Sequence, residues 1–310
     1  GAGGNDRLVN SGELNHRLFT NDGKGNFTYH ENAFPTFSNN TGVMVPLDYD
    51  GDGDLDVFVG ARNTPLRYGV APASAIYEND GKGNFTEKTK VIAPPFLKLG
   101  MVTSALWGKV FNGQKNQLIV VGDYMYPMVF SFSNGKFVEE KTNLNNLFGW
   151  WQSVQVVDMD GDGKKEIIIY STNLYATIGG DVYNDPVKKA LLEPLNRIYV
   201  LTPNNSTLSN VTSQYIGDLG GFDKIYFNHS GMQFEDINGD GFIDLYPYTT
   251  QHTLSSWNVK DDINYFEWNP TTQKFEFKNL NGFNSFFTNG IFTDVSRFQS
   301  RIILAIFLIS

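Results

Sequence analysis

Asp48-Tyr49-Asp50-Gly51-Asp52-Gly53-Asp54-Leu55-Asp56-Val57-Phe58-Val59-Gly60 places five carboxylates within nine residues and follows them at once with a short apolar run. Carboxylates brought within a few ångströms repel one another, so a fold that converges them calls for a cation. Oxygen-only ligands on an Asp/Gly loop suit a hard cation, and Ca²⁺ fits best. The pattern recurs twice. Asp158-Met159-Asp160-Gly161-Asp162-Gly163-Lys164-Lys165-Glu166 runs into Ile167-Ile168-Ile169-Tyr170, and Asp236-Ile237-Asn238-Gly239-Asp240-Gly241-Phe242-Ile243-Asp244 runs into Leu245-Tyr246. The shared frame is D-x-[DN]-G-D-G-x-x-[DE] followed by a strand. A plain Asp-Gly hairpin turn is the simpler reading of any one copy. A bare turn does not need so many acids.

The frame is not an EF-hand, which carries its glycine at position 6, closes on a bidentate Glu at position 12 and lies between helices. Here the last carboxylate falls at position 9 and β-type residues follow. The frame resembles the cation loop of integrin-alpha-type FG-GAP and VCBS-type propeller repeats. That resemblance implies Ca²⁺ held by side chains at positions 1, 3, 5 and 9 and by the backbone carbonyl at position 7. The first loop would then use Asp48, Asp50, Asp52, the carbonyl of Asp54, and Asp56. The second would use Asp158, Asp160, Asp162, the carbonyl of Lys164, and Glu166. The third would use Asp236, Asn238, Asp240, the carbonyl of Phe242, and Asp244.

A second repeated element supports the same architecture. Arg17-Leu18-Phe19-Thr20-Asn21-Asp22-Gly23-Lys24-Gly25-Asn26-Phe27-Thr28 reads as a hairpin with a Gly-rich turn, and residues 75–86 repeat it almost letter for letter. Residues 130–137 and 266–275 are weaker copies, and residues 196–205 a divergent one. Each unit runs cation loop, strand, connection, hairpin: a four-stranded meander, the blade of an all-β propeller. Trp107–Gly122 keeps the turn and the strand but has lost the acids, so this blade is expected to bind no metal. Loop starts near 48, 110, 158, 236 and 294 give about five repeats in one β-propeller domain over residues 1–310, with an insertion near 171–195. The alternative is a fragment of a seven-bladed ring. Residues 3–19 read as the second half of a repeat and residues 292–304 as its missing first half, so the two ends are expected to close one blade together.

Composition bounds the function. The net charge is −9, and the three loops hold twelve of the 33 acids. Three bound Ca²⁺ would bring the charge to −3, so the acidity belongs to the loops rather than to a field facing a basic partner. No Lys/Arg cluster suggests nucleic acid as a partner. Cysteine is absent, so disulfides are not the staple. No signal peptide opens the chain, and the apolar stretch at residues 301–310 is too short to span a bilayer. Millimolar Ca²⁺ outside cells would fill such loops at modest affinity, which favours a secreted or cell-surface location.

The remaining candidates are weaker. Trp150-Trp151 offers a sugar-stacking pair or, more simply, packing between blades. Residues 62–72 offer an Arg- and Tyr-bearing binding loop or a plain connection. The four histidines show no zinc spacing, and there is no G-x-S-x-G elbow. His229 near Tyr226 and Ser230 is the thin basis for catalysis. Sequons at Asn39, Asn204, Asn205, Asn210 and Asn228, and in the turns at Asn26 and Asn84, would count only in a eukaryotic protein. The expected function is a Ca²⁺-stabilised module for binding a protein or glycan. The alternatives are a Ca²⁺-dependent polysaccharide lyase and a structural spacer of a larger surface protein.

Overall fold

The computed structural model describes residues 12–111, 115–171, 198–204, 207–216, 231–236, 238–248 and 263–280. Strands dominate them. A first hairpin pairs β1 (Leu18–Asn21) with β2 (Phe27–His30). Four antiparallel meanders follow: β3 (Asn40–Leu47), β4 (Asp56–Asn63), β5 (Ala75–Asn79) and β6 (Phe85–Glu87); β7 (Met101–Gly108), β8 (Gln117–Met125), β9 (Met128–Ser133) and β10 (Lys136–Glu139); β11 (Gly149–Val157), β12 (Glu166–Ser171), β13 (Ile198–Asn204) and β14 (Thr207–Asn210); β15 (Gly231–Glu235), β16 (Asp244–Tyr248), β17 (Ile263–Asn269) and β18 (Lys274–Leu280). Each strand pairs with its sequence neighbour, as in the four-stranded blades of a propeller. The start of β11 also pairs with the end of β8, joining the third blade to the second, through Gly149 opposite Met125 and Trp150 opposite Asp123.

Burial falls across each blade in a way the sequence explains. The second strands, β8 (QLIVVGDYM) and β12 (EIIIYS), are apolar without alternation and buried nearly throughout, because both of their faces are covered. Alternate residues of β8 serve different cores. Leu118 and Val120 join Phe58, Ile76, Phe96 and Phe130 against the first blade. Ile119 and Val121 join Trp151, Val154, Ile167 and Tyr199 against the third. Along β12, Ile168 and Tyr170 face a further core with Leu245, Phe266 and Trp268. The fourth strands of the first three blades are short and largely exposed, as outer edges are. The first hairpin is followed by Ala33, Phe34 and Phe37, which cover Val59, Ala61 and Tyr77 on the remaining face of the first blade.

Two glycines set how closely strands approach, one between the first two blades and one within the second. A Cβ on Gly42 of β3 would collide with the carbonyl of Val102, and one on Gly122 of β8 with the carbonyl of Met101. Both contacts are with backbone, so the neighbour has no rotamer by which to move aside.

Trp151 is fully buried in the second inter-blade core and donates its Nε1–H to the Leu147 carbonyl at 2.9 Å, so the packing reading holds for it. The proposed closure of the two ends, the insertion after Ser171 and the Tyr226, Ser230 and His229 group lie outside the described residues.

Candidate metal centres

All three acidic loops sit between the first and second strands of their blades, after β3, β11 and β15, and share one hydrogen-bond lattice. The first carboxylate accepts from the N–H of the first loop glycine: Asp48 from Gly51 at 2.7 Å, Asp158 from Gly161 at 2.8 Å, Asp236 from Gly239 at 2.7 Å. The third position accepts from the fifth: Asp50 from the Asp52 N–H, Asp160 from Asp162, Asn238 from Asp240. The fifth accepts from the seventh: Asp52 from Asp54, Asp162 from Lys164, Asp240 from Phe242. The turn needs left-handed backbone at positions 4 and 6, with φ of 82° and 94° at Gly51 and Gly53, and glycine supplies it without a Cβ penalty.

The ninth position begins the second strand, and its carboxylate is buried in each loop: Asp56, Glu166 and Asp244. Asp56 accepts from the N–H of Tyr49 in its own loop at 3.5 Å and from that of Asn79 in β5 at 2.9 Å. Glu166 accepts from the Met159 N–H at 3.0 Å, and Asp244 from the Trp268 N–H at 3.1 Å. Burial pushes the Asp56 carboxyl up to about 6 and raises Glu166 as well. Asp50 is raised too, by burial first and then by the neighbouring Asp52 and Asp48 charges. Carboxyls held at elevated pKa beside other acids are groups that a cation relieves.

The lattice converges side chains at positions 1, 3 and 9. Carboxylate oxygens of Asp48, Asp50 and Asp56 lie within 4.8 Å of one another, as do those of Asp158, Asp160 and Glu166. Both groups could hold a metal ion, and their all-oxygen donor set fits a hard one. Asp52 and Asp162 stand outside these groups. Asp162 takes the Lys164 ammonium at 2.7 Å, which holds its carboxyl below the usual range. Among the described residues the third loop forms no such carboxylate trio, since Asn238 occupies its third position. Asn238 donates instead to Asp240 at 3.0 Å and to Glu267 of β17 at 2.7 Å. The carbonyl-bearing residues Asp54, Lys164 and Phe242 each follow the second glycine of their turn.

The second blade keeps the contact between the start of its loop and position 9, without the acids. Val110 and Phe111 donate their N–H groups to Gln117 Oε1 at 3.0 and 3.4 Å. Gln117 opens β8 as Asp56 opens β4, so it is the ninth position, and Lys109 stands at the first. The frame thus starts one residue before the expected start near 110. A lysine and an amide have replaced the two anchoring carboxylates. Asn112 and Gln114 lie outside the described residues.

Residues 3–59 and 48–108 match the FG-GAP-like repeat. Residues 3–108, about a third of the chain, are thus similar to FG-GAP-like repeats. Both matches contain the first loop: one runs through the first hairpin into β4, and the other runs from the loop through the first blade to the end of β7. FG-GAP-like repeats point to a propeller-like interaction module. Comparison with curated proteins finds no match. Among the described residues no helix is long and apolar enough to cross a membrane, which says nothing of a β-barrel.

Sequence reasoning missed the supports around the loops. Tyr49 at position 2 donates to Glu78 of β5 at 2.7 Å and packs on Phe132 and Phe137 of the next blade. Tyr215 in α2 (Thr212–Tyr215; α1 is Thr89–Ile92) donates to Asp160 at 3.1 Å. The apolar character of position 2 was the available signal for the first of these.

Proposed function

We propose that the chain is a β-propeller whose acidic loops bind Ca²⁺ structurally, and that it serves as a protein- or glycan-binding adhesion module, secreted or at a cell surface. The carrying observation is the pair of carboxylate trios, Asp48–Asp50–Asp56 and Asp158–Asp160–Glu166, in one shared turn lattice. The third loop joins them through Asp236, Asn238, Asp240 and Asp244, as the equivalent hydrogen bonds suggest. Asp52 and Asp162 and the carbonyls of Asp54, Lys164 and Phe242 complete the proposed donor sets. Bound Ca²⁺ would offset the mutual repulsion of the acids and fix each loop to its blade. We take residues 1–310 as one β-propeller domain, with an insertion near 171–195.

The test is a thermal melt in millimolar Ca²⁺ and in chelator. With free Ca²⁺ about tenfold above the dissociation constant, each site adds roughly 1.4 kcal/mol by mass action, and three add on the order of 4 kcal/mol. The expected result is a melting temperature several degrees lower in chelator, with Asp50→Ala losing part of the Ca²⁺ increment and little in chelator. Superimposable wild-type melts, with the chelated sample shown metal-free, would remove the structural role for Ca²⁺.

A further inference from the structure

At the far ends of the second strands, six residues beyond the loop position 9, β4 presents Arg62 and β8 presents Asp123. Six residues of strand span roughly 20 Å, so these residues mark the end of the blades opposite the acidic loops. Asp123 is 2% exposed and accepts three hydrogen bonds from three segments: Arg62 Nη2 at 3.2 Å, Tyr68 Oη at 3.0 Å and Gln152 Nε2 at 2.9 Å. It fixes the connection after β4 and the start of β11 to the end of β8. That connection is pinned further by Thr64 to Asn39 at 2.8 Å and by Asn39 to the Ala73 carbonyl at 3.0 Å.

Above this buried anchor three aromatic rings meet at steep angles. Tyr124 lies 4.3 Å from Trp150 at 62° and 6.3 Å from Tyr68 at 66°, between ring centroids. Tyr124 is 44% exposed and holds left-handed backbone, with φ of 56°, a conformation rare for a bulky residue. Trp150 Nε1 is screened from solvent and has no hydrogen-bond partner among the described residues. That N–H is therefore closed to a ligand as it is to water, and Trp150 offers the corner its ring alone. The Arg62 side chain is 45% exposed, with donors beyond the one given to Asp123.

We propose that the corner of Tyr68, Tyr124 and Trp150 over Asp123 binds one neutral sugar residue of an oligo- or polysaccharide. The rings offer faces to the C–H surface of a pyranose; Arg62 and Gln152 offer directed bonds to its hydroxyls. Arg62 and Asp123 neutralise each other, so the pocket favours no net charge on the ligand. A flat protein surface would meet the rings poorly, because they stand at steep angles to one another. The inference rests on reading the chain as a binding module and names the ligand class for one of its faces.

The experiment is titration of the full chain with cellohexaose, mannohexaose, xylohexaose and chitohexaose, followed by tryptophan fluorescence and calorimetry in Ca²⁺. At least one sugar should bind. Tyr124→Asn, which tolerates the left-handed backbone, should weaken that binding tenfold or more, with melting unchanged. Trp150→Leu, which removes the ring, should weaken it severalfold. Tyr29→Ala, an exposed tyrosine on β2, should leave it intact. Absence of binding to every sugar, equal binding by Tyr124→Asn and wild type, or a face that retains only protein ligands overturns the proposal. Ca²⁺-dependent melting without any sugar response would sink this inference alone. Sugar binding with melts indifferent to Ca²⁺ would sink the metal reading alone.

Discussion

His16 is enclosed by Phe34, Phe37 and Tyr77, and neither ring nitrogen has a partner among the described residues. Burial in this aromatic nest lowers its pKa from 6.5 to about 4. The unfolded chain therefore takes up the proton first as pH falls. The folded state is unaffected above pH 6.5 and loses stability from there down to about pH 4. A gap of this size amounts to about 2 kcal/mol at pH 5, as an upper figure. Denaturant unfolding of wild type and His16→Phe at pH 7 and pH 5 should show the difference between the two proteins shifting in favour of the variant at the lower pH. A difference independent of pH would mean that His16 does not titrate in this range.

Gly122 shows how an element carries a constraint that sequence pattern hides. It interrupts an apolar run in β8 because the first strand of its own blade approaches through the Met101 carbonyl. Gly122→Ala should destabilise the fold by about 1–3 kcal/mol, read as a lower melting temperature. The loop between β7 and β8 makes a second prediction. With Lys109 at position 1 and Gln117 at position 9, it should take no lanthanide under conditions where the loops after β3 and β11 do, checked by anomalous density in a soaked crystal. A lanthanide peak there would show that the lattice alone, without carboxylates, suffices. The blades and the loop frame were legible in the sequence because both recur: the acid spacing repeats, and Asn-Asp-Gly-Lys-Gly-Asn appears twice. The clustering of positions 1, 3 and 9 follows from the glycine pair. The anchor at Asp123 was not legible, since its donors Arg62, Tyr68 and Gln152 come from segments brought together only by blade packing. Nor could spacing alone distinguish Trp150 at the face from Trp151 in the core.

Across the whole molecule, neighbouring blades share strands between cores, so their stabilities are coupled. Phe96 follows the first blade and packs on Phe58 of that blade and on Phe130 and Phe137 of the second. Phe96→Ala should cost about 3–5 kcal/mol and still unfold in one transition, because β8 cannot leave one core while remaining in the other. Separate transitions for the two blades, seen as non-coincident far-UV and tryptophan signals, would show the cores to be independent. The turn lattice after β3 and β11 has a consequence at this same scale. It is built from backbone N–H groups and side-chain oxygens of the loop itself, and its bond from position 2 to position 9 recurs where Gln117 stands in place of an acid. A loop that already has its shape gives an ion little to rearrange. Filling it would deepen the folded state without selecting between two forms of it, and an equilibrium with one form has nothing to relay. The acidic loops would then act as ballast rather than as a sensor, and events at the opposite ends of the blades should proceed deaf to calcium for as long as the blades stay folded.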